Sequence, residues 1–556
     1  MAWKYSLFAV SLALASSASN LVIPGWSVTG MDLGLEDAKV SVSAVDFTGA
    51  PIPPVDTIYY FDQLIDHNNP QLGTFKQRYW HYWEFYKPGG PIILATPGEA
   101  DASAGAYTYV TNKSIFGQVA EQEHGATIIL EHRYYGQSNP VPDLSAENMR
   151  YNTLPQAIND LEYFAKNVKL PMPGGDNVKP GQVPWVLMGG SYSGALTAWT
   201  MIEKPGLFAA GYASSAVVQA ITDFWQYFEP IRVHMPQNCS ADVQAVIAHF
   251  DQVFASGNTA AIDALKSSYG MAELTHLDDV VAACAIRSTL GQRLSPTSGP
   301  SAGFWEFCDA LEVKDGVNAP VTGWGLDHAL AAWGKYFSET FLADYCDGQS
   351  IPECLGTYEP SLTGFANTTI PNTGRSWFYM VCNEVGWLQT GAPSGHPTIV
   401  SRLITTAYEQ QLCQRAFPGA FPNIGSSMDI GVARTNDAYH GWNVQLDRFF
   451  FANGKRDPWL DATVSATGLN VPSTDRQRIV VSEGFHCNDL LTANGAEPSI
   501  KELHKLALSD MKRWLAEYRE ENRIRTDGDV DEKLGVSRTI RGVLHTGNVL
   551  VDDEGD

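Results

Sequence analysis

The chain holds no Cys-x-x-Cys pair and no His-Glu-x-x-His segment, so no motif supports a zinc site and no metal is expected. Positive charge is scarce. Lys and Arg number 37 against 61 Asp and Glu, a net charge of −24. With a pI near 4.9, that balance argues against nucleic acid and anionic membranes as partners. It fits a secreted protein that stays soluble in mildly acidic surroundings. Past the N-terminus no apolar run is long enough to span a bilayer, so the mature protein is expected to be soluble, with no membrane partner. Internal repeats and extended low-complexity segments are also missing.

What is present points to a secreted globular enzyme. At 556 residues the chain is too long for one simple core, and two packed units are expected. A hydrophobic content of 44% and an aromatic content of 11% exclude general disorder. Lys4, the apolar run Tyr5 to Ala15 and the small residues Ser16-Ser17-Ala18-Ser19 have the three regions of a signal peptide, assigned to 1–19. The eight cysteines form an even set, which in an exported chain predicts disulfides. Cys346 and Cys354 are close enough for a local clasp; the other pairings stay open. The sequons at Asn112, Asn238 and Asn367 are candidate glycan sites.

The most informative stretch is Gly189-Gly190-Ser191-Tyr192-Ser193-Gly194, directly after the apolar run Trp185-Val186-Leu187-Met188. A strand running into small residues around a serine reads as a nucleophile elbow. The turn is so tight that larger flanking side chains would collide. The serine then stands at the head of a helix, where backbone N–H groups and the helix dipole favour a developing oxyanion. The stretch departs from strict Gly-x-Ser-x-Gly because Ser193 fills the last position, but serine is small enough for the turn. An ordinary strand-to-helix turn has the same composition, so the segment needs partners.

Strand and helix patterns alternate from about 56 to 205. Strands are predicted at 91–95, 126–130 and 185–188, with helical spacing over 153–168. Strand runs without alternation, separated by helices, indicate a buried parallel sheet. Residues 211–218 read as the next strand. From about 220 to 370 the chain is helix-like and carries five of the eight cysteines, as an inserted cap would. Strands resume at 448–452 and 477–481, and an amphipathic helix follows with Leu503, Leu506, Met511, Trp514, Leu515 and Tyr518 on one side. The division expected is a first hydrolase part at 45–205, a helical cap at 206–370, a second hydrolase part at 371–525 and an acidic flexible tail at 526–556.

A serine nucleophile needs a general base and a carboxylate that orients it. In the α/β-hydrolase order both follow the serine, each on a loop after a late strand. Asp457 follows the first late strand, with Pro458 stiffening the loop behind it; Asp461 is its rival. His486 follows the second. His132 and His440 are rival bases, but both precede the carboxylate and fit the chain order worse.

Three motifs in one order now make the chain familiar: Gly-Gly-Ser-Tyr-Ser-Gly, Asn-Gly-x-x-Asp-Pro-Trp and Gly-Phe-His-Cys-x-Asp-Leu. Together they resemble the prolyl carboxypeptidase-like serine peptidases, which include the lysosomal Pro-X carboxypeptidase, dipeptidyl peptidase II and the fungal acid prolyl endopeptidases. The segments 61–70, Thr96-Pro97-Gly98-Glu99-Ala100, Glu131-His132-Arg133-Tyr134-Tyr135-Gly136 and Cys382-Asn383-Glu384 extend the resemblance over nearly the whole chain; the acidic tail lies outside it. The resemblance implies an α/β-hydrolase fold with a helical cap, a triad of Ser191, Asp457 and His486, and cleavage on the carboxyl side of proline with no cofactor. It also implies the Tyr192 N–H as one oxyanion donor and a second from the Gly98 loop. A proline ring is flat and apolar and stacks on indole faces, which makes Trp459 and Trp377 candidate pocket walls. Glu99 either holds a substrate amine or braces the oxyanion loop. The partners expected are proline-containing peptides or proteins. An esterase or lipase on the same scaffold is the alternative. End-trimming against internal cutting stays open, as do a homodimer and a vacuolar or lysosome-like destination in place of the outside of the cell.

Overall fold

The computed structural model describes residues 44–533, and the expected signal peptide at 1–19 lies outside the described residues. Eight strands build the central sheet: β1 (Tyr59–Leu64), β2 (Thr74–Tyr82), β3 (Ile92–Ala95), β4 (Ala126–Leu130), β5 (Trp185–Gly190), β6 (Ala210–Ser214), β7 (Phe449–Gly454) and β8 (Gln477–Ser482). Their spatial order is β1-β2-β4-β3-β5-β6-β7-β8. From β4 to β8 all neighbours are parallel. Every residue of β3, β4, β5, β6 and β7 is buried, which is why their sequences run apolar without alternation. Each large aliphatic side chain so covered contributes about 1.5–3 kcal/mol.

The sheet is mixed rather than wholly parallel. β1 pairs antiparallel with β2, and β2 antiparallel with β4. Residues 65–73 between β1 and β2 are too few for a crossover, so the chain turns back as a hairpin. β1 is an edge strand with alternating burial, and Tyr59 stacks on Tyr79 across the pair at 5.3 Å. This is the α/β-hydrolase arrangement: a mostly parallel sheet, helices such as Leu154–Asn167 and Ser191–Glu203 between strands, and a helical excursion before the last two strands.

That excursion starts later than 206, because β6 pairs with both β5 and β7 inside the sheet. It also contains short strands. Ile221–Asp223 pairs with Gly386–Leu388, and Val313–Lys314 with Val317–Asn318. The helices Gln237–Ala255 and Gly303–Glu312 are joined by the disulfide Cys239–Cys308. Cys346 and Cys354 form the local clasp, and Cys382 pairs with Cys413. Cys284 and Cys487 are free and buried, so the even count does not translate into four bridges. Helices after 370 pack back onto the sheet side: Tyr439, ending Ile424–Tyr439, stacks on Trp199 at 5.3 Å. The last helix, Pro498–Lys533, buries Leu503, Met511, Trp514 and Leu515 and runs through the first residues expected as tail. No described helix is long and apolar enough to cross a membrane.

Candidate active site

The elbow forms because its neighbours are small. Ser191 carries φ +57°, a left-handed conformation that is costly outside a supporting frame. A Cβ at Gly189 would lie 2.3 Å from the Ser193 carbonyl oxygen, so only glycine fits there. Ser193 explains its own departure from the strict pattern. Its Oγ accepts the Gly190 N–H at 3.1 Å and donates to the Thr96 carbonyl at 2.8 Å. That ties the elbow to the loop after β3, where Gly98 sits at φ +72° with room for a Cβ only 3.2 Å from Ser193 Cβ.

Three strand ends converge on the same point. Ser191 follows β5, Asp457 follows β7 and His486 follows β8, all at the carboxyl edge of the parallel sheet. Ser191 Oγ donates to His486 Nε2 at 2.8 Å, and His486 Nδ1 donates to Asp457 Oδ1 at 2.8 Å. The Trp459 N–H also reaches Asp457 Oδ1, at 2.9 Å, and fixes the carboxylate. The side chains of His486 and Asp457 are 7% and 0% exposed, and Ser191 is buried with them, so the whole set is shielded. Burial is the largest single influence and pulls the His486 imidazole down; the Asp457 carboxylate and the adjacent Cys487 together outweigh it and hold the ring well above the usual histidine value. Its tautomer is set by the Asp457 bond, leaving Nε2 to accept a proton.

The rivals are engaged elsewhere. His132 donates from Nδ1 to the Arg133 carbonyl at 2.7 Å and accepts the Tyr192 hydroxyl on Nε2 at 3.0 Å. Burial pulls its pKa down to about 4, so it is a neutral acceptor that seats Tyr192. Asp461 accepts the Thr467 N–H at 2.6 Å within its loop, and His440 is exposed at the end of its helix. The flanking residues of the 131–136 segment brace the frame. Arg78 Nε donates to Glu131 at 2.8 Å, and Arg133 forks onto Asp160 at 2.7 and 2.5 Å.

Both candidate tryptophans stand beside this set on one aromatic wall. The Trp459 ring stacks on Phe224 at 5.5 Å, meets Tyr227 at 5.2 Å edge-on, and lies 6.3 Å from the His486 ring. Trp377 packs on Tyr192 at 5.3 Å and on Trp387 at 5.9 Å. Trp387, 5.7 Å from Trp459, joins the two halves. Sequence reasoning missed Trp387, Phe224 and Tyr227. Trp387 had a signal, standing three residues after Cys382-Asn383-Glu384; the other two lie in the helix-like insertion, where nothing marks them. Glu99 is buried, and its Oε2 meets no hydrogen-bond partner among the described residues. Burial pushes its pKa up to about 7, with the nearby His486 pulling the other way. The Gly98 N–H reaches only Thr96 Oγ1, at 3.4 Å. Of the sequon residues, Asn112 is exposed and Asn238 and Asn367 are half-buried. No cluster of metal-ligating side chains occurs among the described residues.

Comparison with known proteins adds independent information. The model of the family "Serine carboxypeptidase S28" matches residues 63–279 and 332–506. The chain is 35% identical over 484 residues to "Serine protease vicPa" of Bipolaris victoriae, covering 82% of this chain and 88% of that protein. It is 31% identical over 478 residues to the "Probable extracellular serine carboxypeptidase" of Arthroderma benhamiae, covering 79% and 64%. With the human "Lysosomal Pro-X carboxypeptidase" it shares 25% identity over 490 residues, covering 83% and 89%.

Proposed function

The chain belongs to the serine carboxypeptidase S28 family and is a serine-type peptidase; from that premise we propose that it cleaves peptides on the carboxyl side of proline through Ser191, His486 and Asp457. The observation that carries the reading is the unbroken hydrogen-bond chain from Ser191 through His486 to Asp457, 2.8 Å at each link, beside a wall of indole rings.

In the proposed reaction His486 Nε2 takes the Ser191 proton as Oγ attacks the prolyl carbonyl carbon. Asp457 stabilises the imidazolium that forms. The tetrahedral oxyanion is met by the Tyr192 N–H, at the head of the elbow helix, and by a donor from the Gly98 loop. His486 then gives the proton to the leaving amine, and the C–N bond breaks. Water repeats the route in the second half: His486 takes its proton, the hydroxide adds to the acyl-enzyme, and Ser191 leaves with the proton returned. Trp459 and Trp377 are the walls proposed for the proline ring, a flat apolar group that stacks on indole. Glu99 is the carboxyl proposed to face the substrate; its buried, unpartnered oxygen supports that role. The leader-like residues 1–19 and the relatives' printed names support export or delivery to a lysosome-like compartment, with glycans proposed at Asn112, Asn238 and Asn367.

The test is mass spectrometry of products from blocked and unblocked peptides holding internal and near-terminal prolines. Cleavage after proline is expected. Cleavage without regard to proline, or faster turnover of a short-chain ester, contradicts the reading.

A further inference from the structure

The helical excursion lends the aromatic wall the rings of Phe224 and Tyr227, and it also holds that wall through one amide. Gln292 lies in the turn Leu290–Arg293, and its Oε1 accepts two hydrogen bonds, from Trp459 Nε1 at 2.8 Å and from the Tyr227 hydroxyl at 2.9 Å. An amide carbonyl has two lone pairs, and both are used here. The two donors are buried, Trp459 at 8% exposure and Tyr227 at 1%. The same stretch grips the histidine loop: Asn488 Nδ2 donates to the Leu294 carbonyl at 3.2 Å, while Asn488 Oδ1 accepts the Phe485 N–H at 2.8 Å. Residue 292 falls between the two blocks matched by the family model, 63–279 and 332–506. This contact therefore comes from a stretch outside the family pattern.

We propose that Gln292 is a positioning residue that sets the width of the slot for the residue on the acyl side of the scissile bond. By holding Trp459 and Tyr227 on one acceptor, it fixes the indole face against which a pyrrolidine ring stacks. Without that acceptor two buried donors lose their partner, the indole turns to find another, and the slot loosens. A flat ring suffers most, because its binding comes from close face-to-face contact; a small side chain such as alanine suffers least. The arrangement makes discrimination depend on the cap being seated on the catalytic loops. The inference rests on the reading of Trp459 as a pocket wall.

The test compares Gln292→Met, which keeps length and loses the acceptor, with Gln292→Glu, which keeps an acceptor. Both are made in the full-length protein. Two peptides that differ only in Pro or Ala before the scissile bond give kcat and KM; a fluorophosphonate gives the rate of Ser191 labelling; thermal unfolding reports the fold. For Gln292→Met the KM on the prolyl peptide is expected to rise by about 10-fold or more, with kcat changed by less than about 3-fold and the Pro/Ala ratio falling by about 10-fold. Gln292→Glu is expected to keep most of the wild-type ratio, and labelling is expected to stay near wild type in both. A Met variant that discriminates like wild type overturns the proposal. So does an equal loss in both variants that tracks a fall in Tm, which marks Gln292 as a fold element only. Wild-type protein with no preference for proline sinks the prolyl reading separately. The ratio is then measured for whichever residue wild type prefers against Ala, and the Met–Glu split still decides the role of Gln292.

Discussion

Ser193 and Thr96 fasten the nucleophile turn to the loop after β3: the serine hydroxyl donates to the Thr96 carbonyl at 2.8 Å while accepting the Gly190 N–H. All three groups are buried. Ser193→Ala leaves a buried donor and a buried acceptor unpaired, a cost of about 1–3 kcal/mol in stability. Because the bond sets the elbow against the Gly98 loop, kcat is expected to fall by roughly 10-fold or more with KM changed less. Steady-state kinetics and thermal unfolding on the one variant check both parts; wild-type kcat would remove the positioning role.

Asp457 sets both the tautomer and the basicity of His486. In Asp457→Asn the amide no longer accepts a charge-assisted bond from Nδ1, and burial then governs the ring. The imidazole pKa is expected to drop, and kcat to fall by roughly 10⁴-fold, with the fold retained. NMR titration of the His486 ring alongside single-turnover kinetics tests this. A variant with near-normal turnover would show that another carboxylate orients the base.

Buried carboxyls make the fold prefer acid. Burial pushes Glu384 up to about 7, opposed by the Leu154 N–H it accepts and by Arg434 nearby; Glu99 is raised to the same level. A carboxyl raised on folding contributes stability that is full below its unfolded value, near 4.5, and is lost as pH rises through about 7. Across that window each group removes about 1.4 kcal/mol per pH unit. Buried His81 and His132, pulled down to about 4, work the other way up to about pH 6.5, so Tm is expected to fall most clearly between about pH 6.5 and 7.5. Glu384→Gln should flatten the decline, since the amide oxygen still accepts from Leu154 and carries no charge. Parallel curves for wild type and variant would contradict the assignment.

Cysteine chemistry gives a count. Three disulfides and two buried thiols, Cys284 and Cys487, account for the eight cysteines. Thiol titration without reductant should find none in the folded protein and two per chain after denaturation. Cys239→Ser with Cys308→Ser opens a loop spanning 69 residues. On chain-entropy grounds that costs about 4 kcal/mol and lowers Tm in proportion. Four or more thiols in the denatured, unreduced chain would refute the pairing.

The sequence carried the strands best where burial is complete on both faces. β3, β4, β5 and β7 leave uninterrupted apolar runs, and the serine turn, Asp457 and His486 stand directly after three of the strand ends. β1 and β2 were not legible as an antiparallel pair, because their orientation depends on the short connection rather than on side-chain pattern. Ser193 was read as merely small; its two hydrogen bonds depend on Thr96, 97 residues away in the chain. The aromatic wall escaped for the same reason. Phe224, Tyr227 and Trp387 meet Trp459 only through the helical excursion, and no local spacing records such a contact. Cysteine parity pointed to disulfides, and three form, the Cys346–Cys354 clasp among them; it could not tell that Cys284 and Cys487 stay thiols, because a buried thiol is held by packing and needs no partner sulfur.

The central claim is that His486 makes the Ser191 hydroxyl nucleophilic. Its most direct test is to treat the native protein with a fluorophosphonate and map the modified residue by peptide mass spectrometry. One adduct, on Ser191, is expected, with labelling abolished in Ser191→Ala and slowed by several orders of magnitude in His486→Ala while both variants stay folded. An adduct on another serine, or full peptidase activity in Ser191→Ala, would contradict the account.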